Sequence, residues 1–246
     1  MKFGFQILPP GPFLTPMFYP LGFQILHEQG GCLVVNKPPG VLTQAPPGID
    51  SLEVRIKTYL GGSNGTESVY LGVPHRLDRP ATGVIIFAKN LRTLRKLGHQ
   101  FEKRRVHKVY WACVQGHVAT ETGRWEDFLY KVAGEPRAEV VGAEHPEGRH
   151  AALHYRVLKT FDWGSWLEIE LETGRTHQIR IQAASRGHPV LGDKQYGSAA
   201  AFGPQFEDPR LQAIALHARS LTFRDPDTQQ TVTAVAPVAD YWPALE

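Results

Sequence analysis

The sequence predicts an α+β fold, with a mixed, largely antiparallel central β-sheet and flanking helices. Three observations carry that expectation. Short apolar runs recur at 31–35, 84–88, 108–114, 166–172, 216–223 and 231–235, several of them rich in β-branched residues. Helical patterns do not alternate regularly with these runs, which argues against a parallel sheet built from crossover units. The chain has 246 residues, 42% of them hydrophobic and 21% charged, enough for a full core in an ordinary globular protein.

The elements follow in order. Residues 1–24 read as a partly irregular N-terminal extension, because prolines recur through it and spoil a signal-peptide core. The segment GFQIL at 4–8 recurs at 22–26 with Met17 between the copies, which raises the prospect of a start upstream of the native one. The run 31–35 ends in Asn36-Lys37-Pro38-Pro39-Gly40, a buried strand running into a turn. Residues 61–68 (GGSNGTES) read as a surface loop.

The run 84–88 is too short for a core helix and reads as a central strand. Asn90 then caps a helix with Leu91, Leu94, Leu97 and Phe101 on its apolar stripe. The strand at 108–114 places Lys108, Tyr110 and Ala112 on one face. Residues 117–150 are polar, glycine-rich and carry no clear period. The run 166–172 alternates strictly, as a strand with one wet face does. A turn at Thr173-Gly174 leads into a helix over 176–185, stopped by Gly187.

Charge narrows the partner. The net charge is only +3, but the segment from Lys89 to Lys108 holds eight Lys/Arg and one acid, so it carries +7 and the rest carries −4. A local basic stripe of this kind suits a polyanion. Cys32 and Cys113 form no CxxC pair, which fits a reducing compartment and offers neither disulfide framework nor zinc knuckle. No stretch reaches the ~20 apolar residues of a membrane helix, so the expectation is a cytoplasmic protein without membrane association.

The candidate chemistry begins at "PHRLDRPATGVIIFAKN", residues 74–90, where Asp78 lies between Arg76 and Arg79 ahead of a buried strand. A carboxylate in such a loop is ordinarily a surface ion pair with a neighbouring arginine. Next to a sheet edge, and held ionised by guanidinium groups, it becomes a candidate nucleophile or base. Arg180 falls in the early turns of its helix, where a cation faces the positive end of the dipole. It either points to solvent or has a compensating anion, for which Asp78 and a substrate phosphate are candidates. Tyr110, beside the basic stripe, is either a core aromatic or a stacking surface for an unstacked base. His75, Asp78, His177, His188, Asp193 and His217 show no metal-ligand spacing, and no phosphate-cradling glycine loop or Gly-x-Ser-x-Gly elbow occurs. No metal site is expected.

With these residues in view, the chain resembles the RluA family of RNA pseudouridine synthases over about 25–237. The resemblance rests on Val34-Val35-Asn36-Lys37-Pro38-Pro39-Gly40, on His75-Arg76-Leu77-Asp78-Arg79 with Gly83, and on Lys108-Val109-Tyr110. Thr173-Gly174-Arg175-Thr176-His177-Gln178-Ile179-Arg180 follows, continuing into 187–193 and Tyr196-Gly197, then Leu216-His217-Ala218. Five motifs in one order are specific where any one alone is not.

The resemblance implies a pseudouridine synthase fold with a catalytic cleft, residues 25–246 as the catalytic domain, and isomerisation of uridine in structured ribosomal or transfer RNA without a cofactor. It implies Asp78 as the catalytic aspartate, Tyr110 as the ring against the target base and a proposed proton acceptor, and Arg180 as the partner of Asp78. RNA contact is assigned to His75, Arg76, Arg79, Arg95, Lys96, Lys103, Arg175 and His177. A monomer with no obligate protein partner is expected. Two departures stand out: Ala81-Thr82 where the family has Thr-Ser, and Gln182 where a histidine often follows the arginine. Either is expected to alter how flanking RNA is held. The alternative from another class is an inactive RNA-binding protein of the same fold; a metal-dependent hydrolase using His75 and Asp78 is a third reading.

Overall fold

The computed structural model describes residues 21–61 and 69–245. The expected loop at 62–68 and most of the N-terminal extension, with the first GFQIL copy, lie outside the described residues. Ten strands form one sheet: β1 (Gln24–Gln29), β2 (Cys32–Lys37), β3 (Thr82–Ala88), β4 (His107–Gln115), β5 (Thr122–Lys131), β6 (Ala138–Val141), β7 (Arg149–Phe161), β8 (Gly164–Leu171), β9 (Leu216–Arg224) and β10 (Thr231–Val235). Their spatial order is β1-β2-β3-β9-β4-β8-β7-β5-β6, with β10 paired to β9. Every pair is antiparallel except β3–β9, which run parallel through Thr82–His217 and Gly83–Ala218.

The helices are α1 (Leu52–Gly61), α2 (Leu91–Glu102) and α3 (Gln178–Ser185). None of the described helices is long and apolar enough to cross a membrane. The unbroken apolar runs of β2 and β3 arise because both faces of these strands are covered. Leu33, Val35, Ile85 and Phe87 share a core with Leu52 and Ile56 of α1, while Val34, Val84 and Ile86 pack with Leu97 of α2 on the other side.

Asn90 caps α2 as its sequence indicates, its Oδ1 accepting the Thr93 N–H at 2.9 Å. The apolar stripe needs one correction: Leu91 is 47% exposed, and Thr93 takes an inward place instead. A cap residue followed by the first helical turn points Leu91 away from the sheet. The unreadable region 117–150 contains β5, β6 and the start of β7. Of β5 only Trp125 and Leu129 are buried, so the strand shows little apolar period. Gly83 holds the parallel contact together: its φ is +110°, and a Cβ there would meet Ala218 O at 2.3 Å.

Candidate active site

The loop before β3 is clamped from three sides. Lys37, at the end of β2, is fully buried, and its Nζ donates to the carbonyls of Pro38 (2.9 Å), Arg79 (3.0 Å) and Ala81 (2.8 Å). Three carbonyl acceptors favour the ammonium form, against burial that pulls its pKa down to about 7. Thr43 Oγ1 donates to Leu77 O at 3.0 Å and accepts the Leu77 N–H at 3.1 Å. Thr82 Oγ1 lies 2.7 Å from His217 Nδ1, and His217 Nε2 donates to Ala236 O at 3.1 Å. The carbonyl fixes the proton on Nε2, so Thr82 is the donor to Nδ1. A motif histidine thus ties the loop to β9.

Asp78 emerges from this rigid loop with its side chain 18% exposed. Its partner is neither Arg76 nor Arg79, the neighbours that composition suggested. Arg180 Nη1 donates to Asp78 Oδ2 at 3.1 Å, across 102 positions of sequence. The helix carrying Arg180 begins at Gln178, two residues later than its sequence indicates, with His177 left-handed at φ 54°. Gln178 causes the delay: its Oε1 accepts from Thr173 Oγ1 (2.8 Å) and the Arg175 N–H (3.0 Å), holding the preceding turn non-helical.

Arg180 does not point to solvent. It donates Nε to Asp193 Oδ2 (2.6 Å), Nη2 to Asp193 Oδ1 (2.8 Å) and Nη2 to Gln195 Oε1 (2.8 Å). The Tyr196 ring lies 4.9 Å from its guanidinium carbon. Asp193 is therefore the principal anion offsetting the helix dipole, and Asp78 takes the remaining edge of the guanidinium.

His177 approaches Asp78 from the other side, Nε2 to Oδ1 at 3.6 Å. Its Nδ1 lies 2.8 Å from the Tyr196 hydroxyl, which already accepts the Ala138 N–H at 2.8 Å. Burial lowers the His177 pKa, so the ring is neutral at pH 7. The hydroxyl proton then goes to Nδ1, and Nε2–H faces the carboxylate.

These groups open on a cleft of about 610 Å³ lined by Asp78, Tyr110, His177 and Arg180 together with Arg76, Arg104, Arg105, Lys108 and Arg175. Tyr110, on β4, is 9% exposed; burial first, and the charge of Asp78 second, push its phenol well above the ordinary value. It is a neutral phenol at physiological pH. Arg104 sits at the end of α2 with φ 53°, between the Arg104 N–H to Phe101 O (3.1 Å) and Arg105 N–H to Gln100 O (2.8 Å) bonds of a Schellman turn.

The remaining sequence-chosen residues divide. His75 lines the cleft, but its Nε2 accepts the Ile86 N–H (3.1 Å) and its ring stacks on Phe101, so it braces the loop. Burial drops its pKa to about 3. Arg175 lines the cleft while Nε donates to His150 O at 2.9 Å. Arg79 is not a cleft residue: its carbonyl binds Lys37, and its Nε is buried without a partner among the described residues. Lys103 lies exposed beside Glu102 at 3.8 Å, outside the cleft. Arg95 and Lys96 line a separate groove. Gln182 is buried away from the cleft, donating to Asp127 Oδ2 at 2.7 Å, so its departure from the motif does not touch the cleft wall.

Sequence reasoning did not assign roles to Lys37, Asp193, Gln195 and Tyr196. A lysine closing an apolar run, and an aspartate just past a helix bearing an early arginine, were the available signals.

A cleft edged by arginines and Lys108, in which a buried arginine holds the Asp78 carboxylate near a buried aromatic, has the parts for acid–base or nucleophilic chemistry on a polyanion. Comparison with known proteins makes this specific. The family model for RNA pseudouridylate synthase matches residues 31–185. An uncharacterized RNA pseudouridine synthase of Synechocystis is 31% identical over 227 residues, covering 90% of this chain and 67% of that protein. Ribosomal large subunit pseudouridine synthase D of Haemophilus ducreyi is 32% identical over 231 residues, covering 90% and 69%. In fold, human RNA pseudouridylate synthase domain containing 1 matches with a TM-score of 0.71 at 23% identity over 97% of this chain and 89% of that one. Human domain containing 4 gives 0.70 at 22%, covering 89% of each chain. The chain belongs to the RNA pseudouridine synthase family, isomerases that convert uridine in RNA to pseudouridine.

Proposed function

We propose that Asp78 is the catalytic carboxylate of this isomerisation, with Arg180 and His177 orienting it and Tyr110 holding the target base. The observation that carries the assignment is the 3.1 Å bond from the deeply buried Arg180 to the partly open Asp78, within the cleft that Tyr110 also lines. Arg180 is anchored by Asp193, so Asp78 is presented in one orientation rather than free to rotate.

The reaction breaks the bond from N1 of uracil to C1′ of ribose, turns the base and joins C5 to C1′. The C5 proton leaves and N1 gains one, so nothing is consumed. Asp78 meets C1′ as the glycosidic bond breaks, either as nucleophile or by stabilising the positive charge that develops there. A uridine in structured RNA reaches this depth only when flipped from its stack, and the Tyr110 ring gives its face a surface. Once C5 has joined C1′, Tyr110, as a neutral phenol, accepts the C5 proton while its own passes on to N1 of the base.

Arg76, Arg104, Arg105, Lys108 and Arg175 supply phosphate contacts around the cleft mouth. The substrate we infer is structured ribosomal RNA, supported by relatives named ribosomal large subunit pseudouridine synthases C and D. The catalytic unit we infer is residues 25–246, acting as a monomer; the free, buried Cys32 and Cys113 accord with a reducing cytoplasm.

The test is Asp78→Ala assayed by pseudouridine mapping on ribosomal RNA from cells lacking the gene. Modification is expected to vanish while RNA binding stays within a few-fold of wild type. Modification at the wild-type rate would sink the assignment.

A further inference from the structure

The basic stripe that the sequence presents as one feature is divided in space. Its C-terminal part, Arg104, Arg105 and Lys108, lines the cleft. Its helical part, Arg95, Lys96 and His99, lines a second groove of about 590 Å³, whose other wall is Arg224 at the end of β9 and the turn into β10. Arg105 borders both.

This groove is built rather than incidental. The Gln100 amide clamps α2 to the β9–β10 hairpin by donating to Arg224 O (2.7 Å) and accepting the Arg224 N–H (2.9 Å). Lys96 Nζ donates to Pro226 O at 2.6 Å, and Arg224 Nε donates to Gln229 O at 2.8 Å. These bonds fix the walls while leaving the Arg224 Nη groups free of them.

Among the described residues the groove's cations hold no carboxylate: the two acids of the adjoining turn, Asp225 and Asp227, accept the backbone N–H groups of Asp227, Thr228 and Gly31 instead. No acidic residue lines it, and Arg95, Arg105 and Arg224 pair with no carboxylate among the described residues. Elsewhere Arg55, Arg124, Arg137, Arg156 and Arg210 each hold an aspartate or glutamate. Cations gathered without counter-charges on a clamped scaffold repel one another, a cost that a polyanion relieves.

We propose that the groove between α2 and the β9–β10 turn is a second RNA-phosphate site. It holds the backbone of the RNA segment that leaves the cleft over Arg105. This rests on the cleft being the site of RNA isomerisation, and it adds a grip on RNA away from the flipped nucleotide. The groove then contributes to choice among RNAs through the length and path of the flanking stem.

The test uses two labelled RNA hairpins that share one uridine-containing loop but have stems of about 5 and about 15 base pairs, titrated over a range of salt. Wild type is expected to bind the long hairpin more tightly and with a steeper salt slope. Arg95→Gln combined with Arg224→Gln should bind the long hairpin roughly tenfold more weakly, with a slope shallower by about one per lost phosphate contact, and bind the short one as wild type does. Arg95→Glu alone, on an exposed helix face, should show the same loss without disturbing the hairpin. Equal wild-type affinity for the two RNAs, or variants that keep wild-type binding and slope on the long one, would overturn the proposal. Asp78→Ala assayed in parallel separates the two readings, because its continued pseudouridine formation would refute the cleft assignment whatever the groove binds.

Discussion

Arg180 and Asp193 form a two-bonded ion pair, 2.6 and 2.8 Å, with side chains only 4% and 1% exposed. Its depth, next to an exposed-edge partner in Asp78, makes Asp193 the anchor of the site. Asp193→Ala leaves a buried guanidinium without its main counter-charge, a loss on the order of 3–5 kcal/mol. We expect a lower melting temperature and a kcat reduced more than tenfold with KM little changed, as Arg180 swings away from Asp78. Chemical denaturation and steady-state kinetics on RNA read the two effects.

Tyr110→Phe keeps the ring and removes the hydroxyl. Binding of uridine-containing RNA should stay within a few-fold of wild type, while pseudouridine formation slows by about 10²-fold or more, the usual loss of a proton-transfer group. Retained turnover would reduce Tyr110 to a stacking surface.

Arg104 holds a left-handed conformation that glycine adopts freely. Arg104→Gly should therefore leave stability unchanged or raise it by up to about 1 kcal/mol, since relief of strain opposes the added unfolded-state entropy. RNA affinity should fall. Opposite signs in thermal melting and RNA titration would mark the side chain as retained for binding.

His217 sets an acid limit. Burial lowers its pKa to about 4 from the ordinary 6.5, the Ala236 carbonyl partly opposing that drop and the charge of Arg219 adding to it. A depressed folded-state value means the stabilising neutral form is fully present above pH 6.5 and is lost as pH falls through 4, worth roughly 3 kcal/mol in all. His217→Gln should flatten the dependence of unfolding free energy on pH across that window, measured by urea melts. A slope equal to wild type would exclude the histidine as its source.

The sequence by itself determined the local elements whose causes are local. The apolar runs fixed β2 and β3 as doubly covered strands, Asn90 fixed the start of α2, and the ordered motifs singled out Asp78, Tyr110 and Arg180. It left β5 and β6 unread, because only Trp125 and Leu129 of β5 and Ala138 of the edge strand β6 are buried, too few to set a strong period. Among the candidate partners that the sequence offered, tertiary structure decided which pair. Arg76 and Arg79 flank Asp78 in sequence, yet its ion-pair partner is Arg180, because α3 brings that guanidinium to 3.1 Å from the carboxylate. Asp193 and Lys37 gained their roles the same way. A buried charge takes the partner that the fold brings within hydrogen-bond reach, and that distance is set by packing rather than by sequence separation.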